Sequence, residues 1–120
     1  MLVTDAMRAA GQETTKSILG SKRNGLNVII EDGVAKLPDR TSFAGSVATT
    51  DRLVRTMHKI ASIPLVEAVR MMTLTPARIM KKQNQKGSIA VGKDADMVIF
   101  DEDIHIQSVI VDGQILINEL

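Results

Sequence analysis

The chain has 120 residues, 44% of them hydrophobic and 24% charged, with a formal net charge of +1. These values fit an ordinary globular piece and exclude the broad basic field that binds nucleic acid or anionic membrane. With no cysteine there is neither a disulfide nor thiolate chemistry, which suits a reducing, cytoplasmic setting. The longest apolar runs are about four residues, far short of the roughly 20 needed to span a bilayer, and no signal peptide is evident. Phe43 and Phe100 are the two aromatic residues, so the core must be built from Ile, Leu, Val, Ala and seven Met.

In chain order, residues 1–5 read as a short strand, apolar over 2–4, that ends in Asp5 and a loop through Gly11. Residues 17–20, 27–30 and 34–37 predict three short strands in a β-hairpin excursion spanning about 13–40. Asn24-Gly25 and Asp32-Gly33 are its candidate tight turns. Leu53, Val54, Met57, Ile60 and Ala61 then fall on one helical stripe, predicting a helix over residues 47–62 with Ser46 as N-cap. Pro64 opens a second helix through Met72. Thr75-Pro76 gives a cap-plus-first-turn start for a third, ending near Lys81-Lys82, where positive charge complements the helix dipole. Beyond Gly92, residues 97–100, 104–111 and 114–118 read as strands, the last two joined at Asp112-Gly113. This order makes the isolated chain α+β.

Few residues can carry chemistry. Asp5 sits where an apolar strand gives way to a loop; on pattern alone, such an Asp more often caps a turn than catalyses. Phe43, Ala44 and Gly45 read on pattern as a loop feeding the helix. His58 and His105 are 47 positions apart and lack the paired spacing of metal ligands, so both read as surface or interface residues. Arg52, Arg55 and Lys59 share a helix side and read as a solvated face, while Arg8 has no assigned role.

Three strings resemble a known family. KGSIAVGKDADMVIFD (residues 86–101) places two glycine turns and a charged turn before a short apolar strand. It is similar to the stretch with which metal-dependent amidohydrolases leave their (β/α)8 barrel and return to a small β-sandwich. LVTDAMRAAG (2–11) looks like the last barrel strand and following loop of the N-acetylglucosamine-6-phosphate deacetylases, FAGS (43–46) fits the same enzymes, and MTLTPARIM (72–80) resembles their last barrel helices.

A whole barrel takes about 250 residues and seldom fewer than roughly 200. The resemblance therefore implies the C-terminal part of such an enzyme: residues 1–85 from the barrel and 86–120 from the sandwich. It implies Asp5 as the general acid/base of acetamide hydrolysis, releasing acetate and glucosamine 6-phosphate. It implies Phe43, Ala44 and Gly45 as the lining of the amino-sugar pocket, largely through main chain. A divalent metal, zinc or similar, would be held in the intact enzyme by ligands from earlier strands, with no metal ligand in this chain, which alone would be inactive. Exposed barrel-facing surfaces also imply a homo-oligomer. The 86–101 string is shared with dihydroorotase-like and imidazolonepropionase-like amidohydrolases, which remain alternatives, as does a non-catalytic assembly module.

Overall fold

The computed structural model describes residues 1–119. The chain forms two compact units, one of residues 3–50 and one of residues 1–2 with 51 onward.

The first unit is built on an antiparallel sheet of β1 (Lys16–Leu19), β2 (Leu26–Glu31) and β3 (Val34–Lys36). Leu19 pairs with Leu26 and Glu31 with Val34, which fixes the register. The β2–β3 connection is the expected two-residue turn, and both Asp32 (φ 53°) and Gly33 (φ 71°) take the left-handed conformation that such a turn demands. The β1–β2 connection differs from expectation. It is a six-residue loop from Gly20 to Gly25, in which the Gly25 amide donates to the Ser21 carbonyl at 2.7 Å. Gly25 is required there by crowding: a Cβ would lie 2.4 Å from the carbonyl oxygens of both Leu19 and Ser21. Val28 and Ala35 anchor the core of this unit with Met7, Ala9 and Ala44.

The predicted strand over residues 2–4 does not form. Its residues have no strand neighbour among the described residues, Val3 is 63% exposed, and pairing in this region is confined to one parallel bridge between Ala6 and Ser46. A parallel strand needs adjacent strands to satisfy its backbone groups, and this segment has none.

The second unit contains α1 (Thr50–Arg55), continued by a π-helical turn over Thr56–Ile60, then α2 (Leu65–Met72) and α3 (Leu74–Ile79). The long helix expected over 47–62 is thus shorter and irregular. Ser46 does not cap it; its hydroxyl instead accepts the Ala48 amide at 3.1 Å in a local turn, a standard competitor of helix. The π turn closes from the Ala61 amide to the Thr56 carbonyl at 3.0 Å, which rotates Ile60 out of the predicted apolar stripe and leaves it 78% exposed. Pro64 occupies the N-cap position of α2 rather than its first turn.

α3 starts at Leu74, one residue before the expected cap, so Thr75 and Pro76 lie inside it. Thr73 sits between the two helices with its hydroxyl donating to the Val69 carbonyl at 2.8 Å. The C-terminus of α3 is a Schellman motif built on a lysine: Lys81 takes φ 56°, its amide reaches Arg78, and the Lys82 amide reaches Ala77.

The second antiparallel sheet comprises β4 (Met97–Phe100), β5 (Ile106–Val111) and β6 (Gln114–Asn118), turning at Asp112-Gly113 as expected. β5 begins two residues later than predicted, because Ile104 is held at φ 63° in a tight loop and is buried against Val54 and Ala68. Ile115, Leu116 and Ile117 of β6 are all substantially exposed.

The turn entering β4 is tied by charge. Lys86 Nζ lies 2.8 Å from Asp94 Oδ2 and pairs also with Asp96, whose Oδ1 accepts the Asp112 amide at 2.9 Å. The Lys86 hydrogen bond, then that amide, hold the Asp96 carboxyl below the usual carboxylate range. The His105 amide foremost does the same for Asp101. A carboxyl whose folded pKa lies below its unfolded value contributes stability that is present above about pH 4 and lost as pH falls through the folded pKa. The melting temperature is therefore expected to be flat between about pH 7 and 5 and to fall below about pH 4, with Asp96→Asn removing part of that fall. An acid limb unchanged in the variant would show that this turn does not contribute.

Candidate functional site

The chain returns from β3 to run alongside it. The Leu37 amide donates to Ser42 at 2.9 Å, Lys36 bridges Phe43, and the Ala44 amide donates to the Ala35 carbonyl at 2.9 Å. Alternation along this extended stretch points Ala44 into the core beside Met7, Ala9 and Val28, and turns Phe43 and Gly45 outward. Phe43 is 75% exposed, an unusual placement for one of only two aromatic rings in the chain. Gly45 takes φ 87°, and a Cβ there would come within 3.2 Å of Leu19 Cδ1. Both facts favour glycine, leaving the backbone uncovered on its outer side.

The next residue brings in the N-terminal segment. The Met7 amide donates to the Ser46 carbonyl at 2.8 Å, and Ala6 pairs with Ser46 in parallel. The bridge joins residues 40 positions apart and brings the segment of Asp5 beside that of Phe43, Ala44 and Gly45. Asp5 is exposed and takes φ 45°, a left-handed conformation that Asp tolerates better than most residues. Among the described residues its carboxylate makes no hydrogen bond or ion pair, so the turn-capping role that pattern alone favoured is not realised. Arg8, three residues on, donates to the Gly20 carbonyl and ties the segment to the β1–β2 loop.

Metal ligation is a separate question. Among the described residues no group of three or more His, Asp or Glu side chains is placed to hold an ion. His58 Nδ1 is 2.9 Å from the Ile63 carbonyl, and His105 Nδ1 is 3.1 Å from Asp101 Oδ2, so both rings serve local structure. Asp5 stands without ligand neighbours, and the residues present do not by themselves fit a catalytic metal.

Comparison with known proteins fits this arrangement into a family. The profile of the Amidohydrolase family matches residues 3–116. The chain belongs to the amidohydrolase family. Among amidohydrolase relatives it is 38% identical over 115 residues to an N-acetylglucosamine-6-phosphate deacetylase of Lysinibacillus sphaericus, covering 96% of this chain and 28% of that protein. It is 33% identical to an N-acetylgalactosamine-6-phosphate deacetylase of Escherichia coli O157:H7, covering 96% of this chain and 29% of the relative. The crystal structure of the N-acetylglucosamine-6-phosphate deacetylase from Pasteurella multocida superposes with a TM-score of 0.86 at 30% identity, over 97% of this chain and 29% of that one. The chain thus spans under a third of the length of these proteins, and its α+β architecture with two three-stranded sheets corresponds to a piece of an amidohydrolase deacetylase.

The pairing of Ala6 with Ser46 is the feature that sequence reasoning missed. Neither residue is distinctive, and 40 intervening residues leave no periodicity that could reveal a single parallel bridge.

Proposed function

We propose that this chain is the C-terminal part of an N-acetylglucosamine-6-phosphate deacetylase, in which Asp5 moves the proton and Phe43, Ala44 and Gly45 line the amino-sugar pocket. The observation that carries the reading is the Ala6–Ser46 bridge, which brings the segment holding the exposed, unpartnered carboxylate of Asp5 beside the segment holding Gly45, at φ 87°, and the exposed ring of Phe43. Acetamide hydrolysis adds a water oxygen to the acetyl carbon and breaks the C–N bond. A carboxylate beside that water takes one of its protons and returns it to the departing nitrogen, yielding acetate and glucosamine 6-phosphate. Gly45 lets backbone approach the sugar, and Phe43 offers an apolar face to its ring.

The divalent metal of the reading belongs to other parts of the intact enzyme, since the residues here do not fit it. In the intact protein, residues 1–85 complete the barrel and 86–120 join the small sandwich; residue 120 lies outside the described residues. The exposed apolar residues of β6, with Val98 and Ile99 of β4, are surfaces that the rest of the enzyme or a second subunit of a homo-oligomer would cover. A cytoplasmic location is part of the same reading. Among the described residues no helix is long and apolar enough to cross a membrane.

The test is acetate release. An intact enzyme carrying this segment should turn over N-acetylglucosamine 6-phosphate, assayed beside its galactosamine epimer, and the 120-residue chain alone should release none and retain no stoichiometric metal after dialysis. Turnover by the isolated chain with tightly bound metal would refute the reading, as would an intact enzyme inert toward both sugars.

A further inference from the structure

Arg52, Arg55 and Lys59, which the sequence pattern read as a solvated face, border an open cleft. Arg52, Arg55, Thr56 and Lys59 follow the i, i+3, i+4, i+7 spacing that puts side chains on one helix side, and opposite them stand Asp103 and His105, bordering an open depression of about 350 Å³. That volume lies at the lower end of small-molecule sites. Asp51 on the same helix offsets part of the positive charge of this face, its Oδ2 lying 3.0 Å from Arg55 Nη2.

Two irregularities border this cleft. One is the π-helical turn over Thr56–Ile60, a rare form that recurs at functional sites. It takes Ile60 from the core stripe and makes it a wall of the cleft. The other is Ile104, a buried β-branched residue held at φ 63°, where backbone strain must be stabilised by its surroundings. Arg55 supplies that support: its Nε donates to the Asp103 carbonyl at 2.8 Å and its Nη2 to the Ile104 carbonyl at 2.6 Å. Asp101 Oδ1 accepts the amides of Asp103 and His105, each at 2.9 Å. The far wall of the cleft is therefore rigid.

Arg55 is committed to that wall. Lys59 is not, for it meets only the Asp103 carboxylate at 3.1 Å, and that side chain is 72% exposed. Such an exposed pair is weak and is easily exchanged for a better anion. We propose that the cleft binds a small phosphate monoester, its phosphate displacing the Asp103 carboxylate from Lys59 and accepting from the Thr56 hydroxyl, with Arg52 and Arg55 adding charge. A divalent phosphate outcompetes a single carboxylate for the same cations, and the Ile60 wall suits the short organic part of an ester. The single-sided apolar contact and open position set the affinity near millimolar, falling with added salt. The cleft is independent of Asp5 and of the deacetylase reading.

The test uses phosphorus-31 line broadening of inorganic phosphate and, separately, of glucose 6-phosphate on addition of the 120-residue chain. Both should broaden, the ester more strongly. Lys59→Gln should weaken binding about tenfold, as loss of a principal cation does. Asp103→Asn should tighten it several-fold, because it removes the competing carboxylate while leaving the loop's backbone bonds in place. Opposite signs in two variants cannot arise from general damage to the fold. Broadening that is absent, equal in all three proteins, or lost in Asp103→Asn overturns the proposal; broadening by inorganic phosphate but not by the ester overturns the ligand class.

Discussion

Replacing Asp5 by Asn in an intact deacetylase carrying this segment is expected to lower kcat by about 10²–10⁴-fold while KM stays near its starting value. Asn keeps the size and much of the hydrogen bonding of the carboxylate but cannot accept a proton from water or deliver one to the amine. The loss therefore falls on the chemical step. The structure narrows what else could change. Asp5 makes no hydrogen bond or ion pair among the described residues, so its substitution removes no such bond, and Asn tolerates the left-handed conformation at φ 45° as well as Asp does. Stability should be unaltered.

Gly45→Val supplies the contrast in the same steady-state comparison. Its side chain would stand at φ 87°, within 3.2 Å of Leu19 Cδ1, and would crowd the backbone proposed to approach the sugar. KM should rise before kcat falls. If Asp5→Asn kept near-normal kcat, the acid/base role would fail, and an unchanged KM in a folded Gly45→Val protein would remove the pocket role.

How much of this was legible in the sequence depended on where the physics was local. The Asp32-Gly33 and Asp112-Gly113 turns were legible because two consecutive left-handed residues are demanded by two-residue hairpins and few dipeptides supply them. The strands flanking them followed. The helix after Ser46 was legible as a helix but not in its length, because Ser46 spent its hydroxyl on a local turn and the π turn displaced Ile60 from a stripe that looked continuous. α3 was misplaced for a related reason: Thr75-Pro76 has the form of a helix start, yet Pro76 is tolerated within the first turn once Leu74 has begun it. The end of α3 near Lys81-Lys82 was legible from its positive charge, although the left-handed position there is held by Lys81 rather than by the usual glycine.

The candidate site divides the same way. Asp5 and residues 43–45 were singled out by resemblance, and their juxtaposition depends on one long-range bridge that no spacing encodes. The lone strand was overread, since Leu2, Val3 and the β-branched Thr4 look like a strand whether or not a neighbour exists to pair with them. Arg52 and Lys59 were read as a solvated face, and Lys59 is exposed, but a helical pattern cannot show what stands opposite it. Only the Asp101–His105 loop, folded back by Arg55, makes that face one wall of a cleft.

The largest expected effect on stability comes from Gly25→Ala. The methyl group would sit 2.4 Å from the carbonyl oxygens of Leu19 and Ser21 and 2.5 Å from Ile18 Cγ2, so two backbone atoms and a strand side chain must all move. Overpacking of this kind costs roughly 1–3 kcal/mol and more where backbone must give way. The damage should reach the candidate site, because Leu19 packs beside Gly45 and the Gly20 carbonyl receives the Arg8 guanidinium. Gly92→Ala separates clash from backbone strain: Gly92 takes φ 85° with nothing within 4 Å of the added carbon, so only the left-handed penalty of about 1–2 kcal/mol applies. Melting curves for both variants, with amide exchange across β1 and β2, should show Gly25→Ala as the more destabilised and its loss of protection centred on the hairpin. If Gly92→Ala proved the more damaging, the six-residue loop would have to accommodate the methyl group, and crowding would no longer explain why glycine stands at position 25.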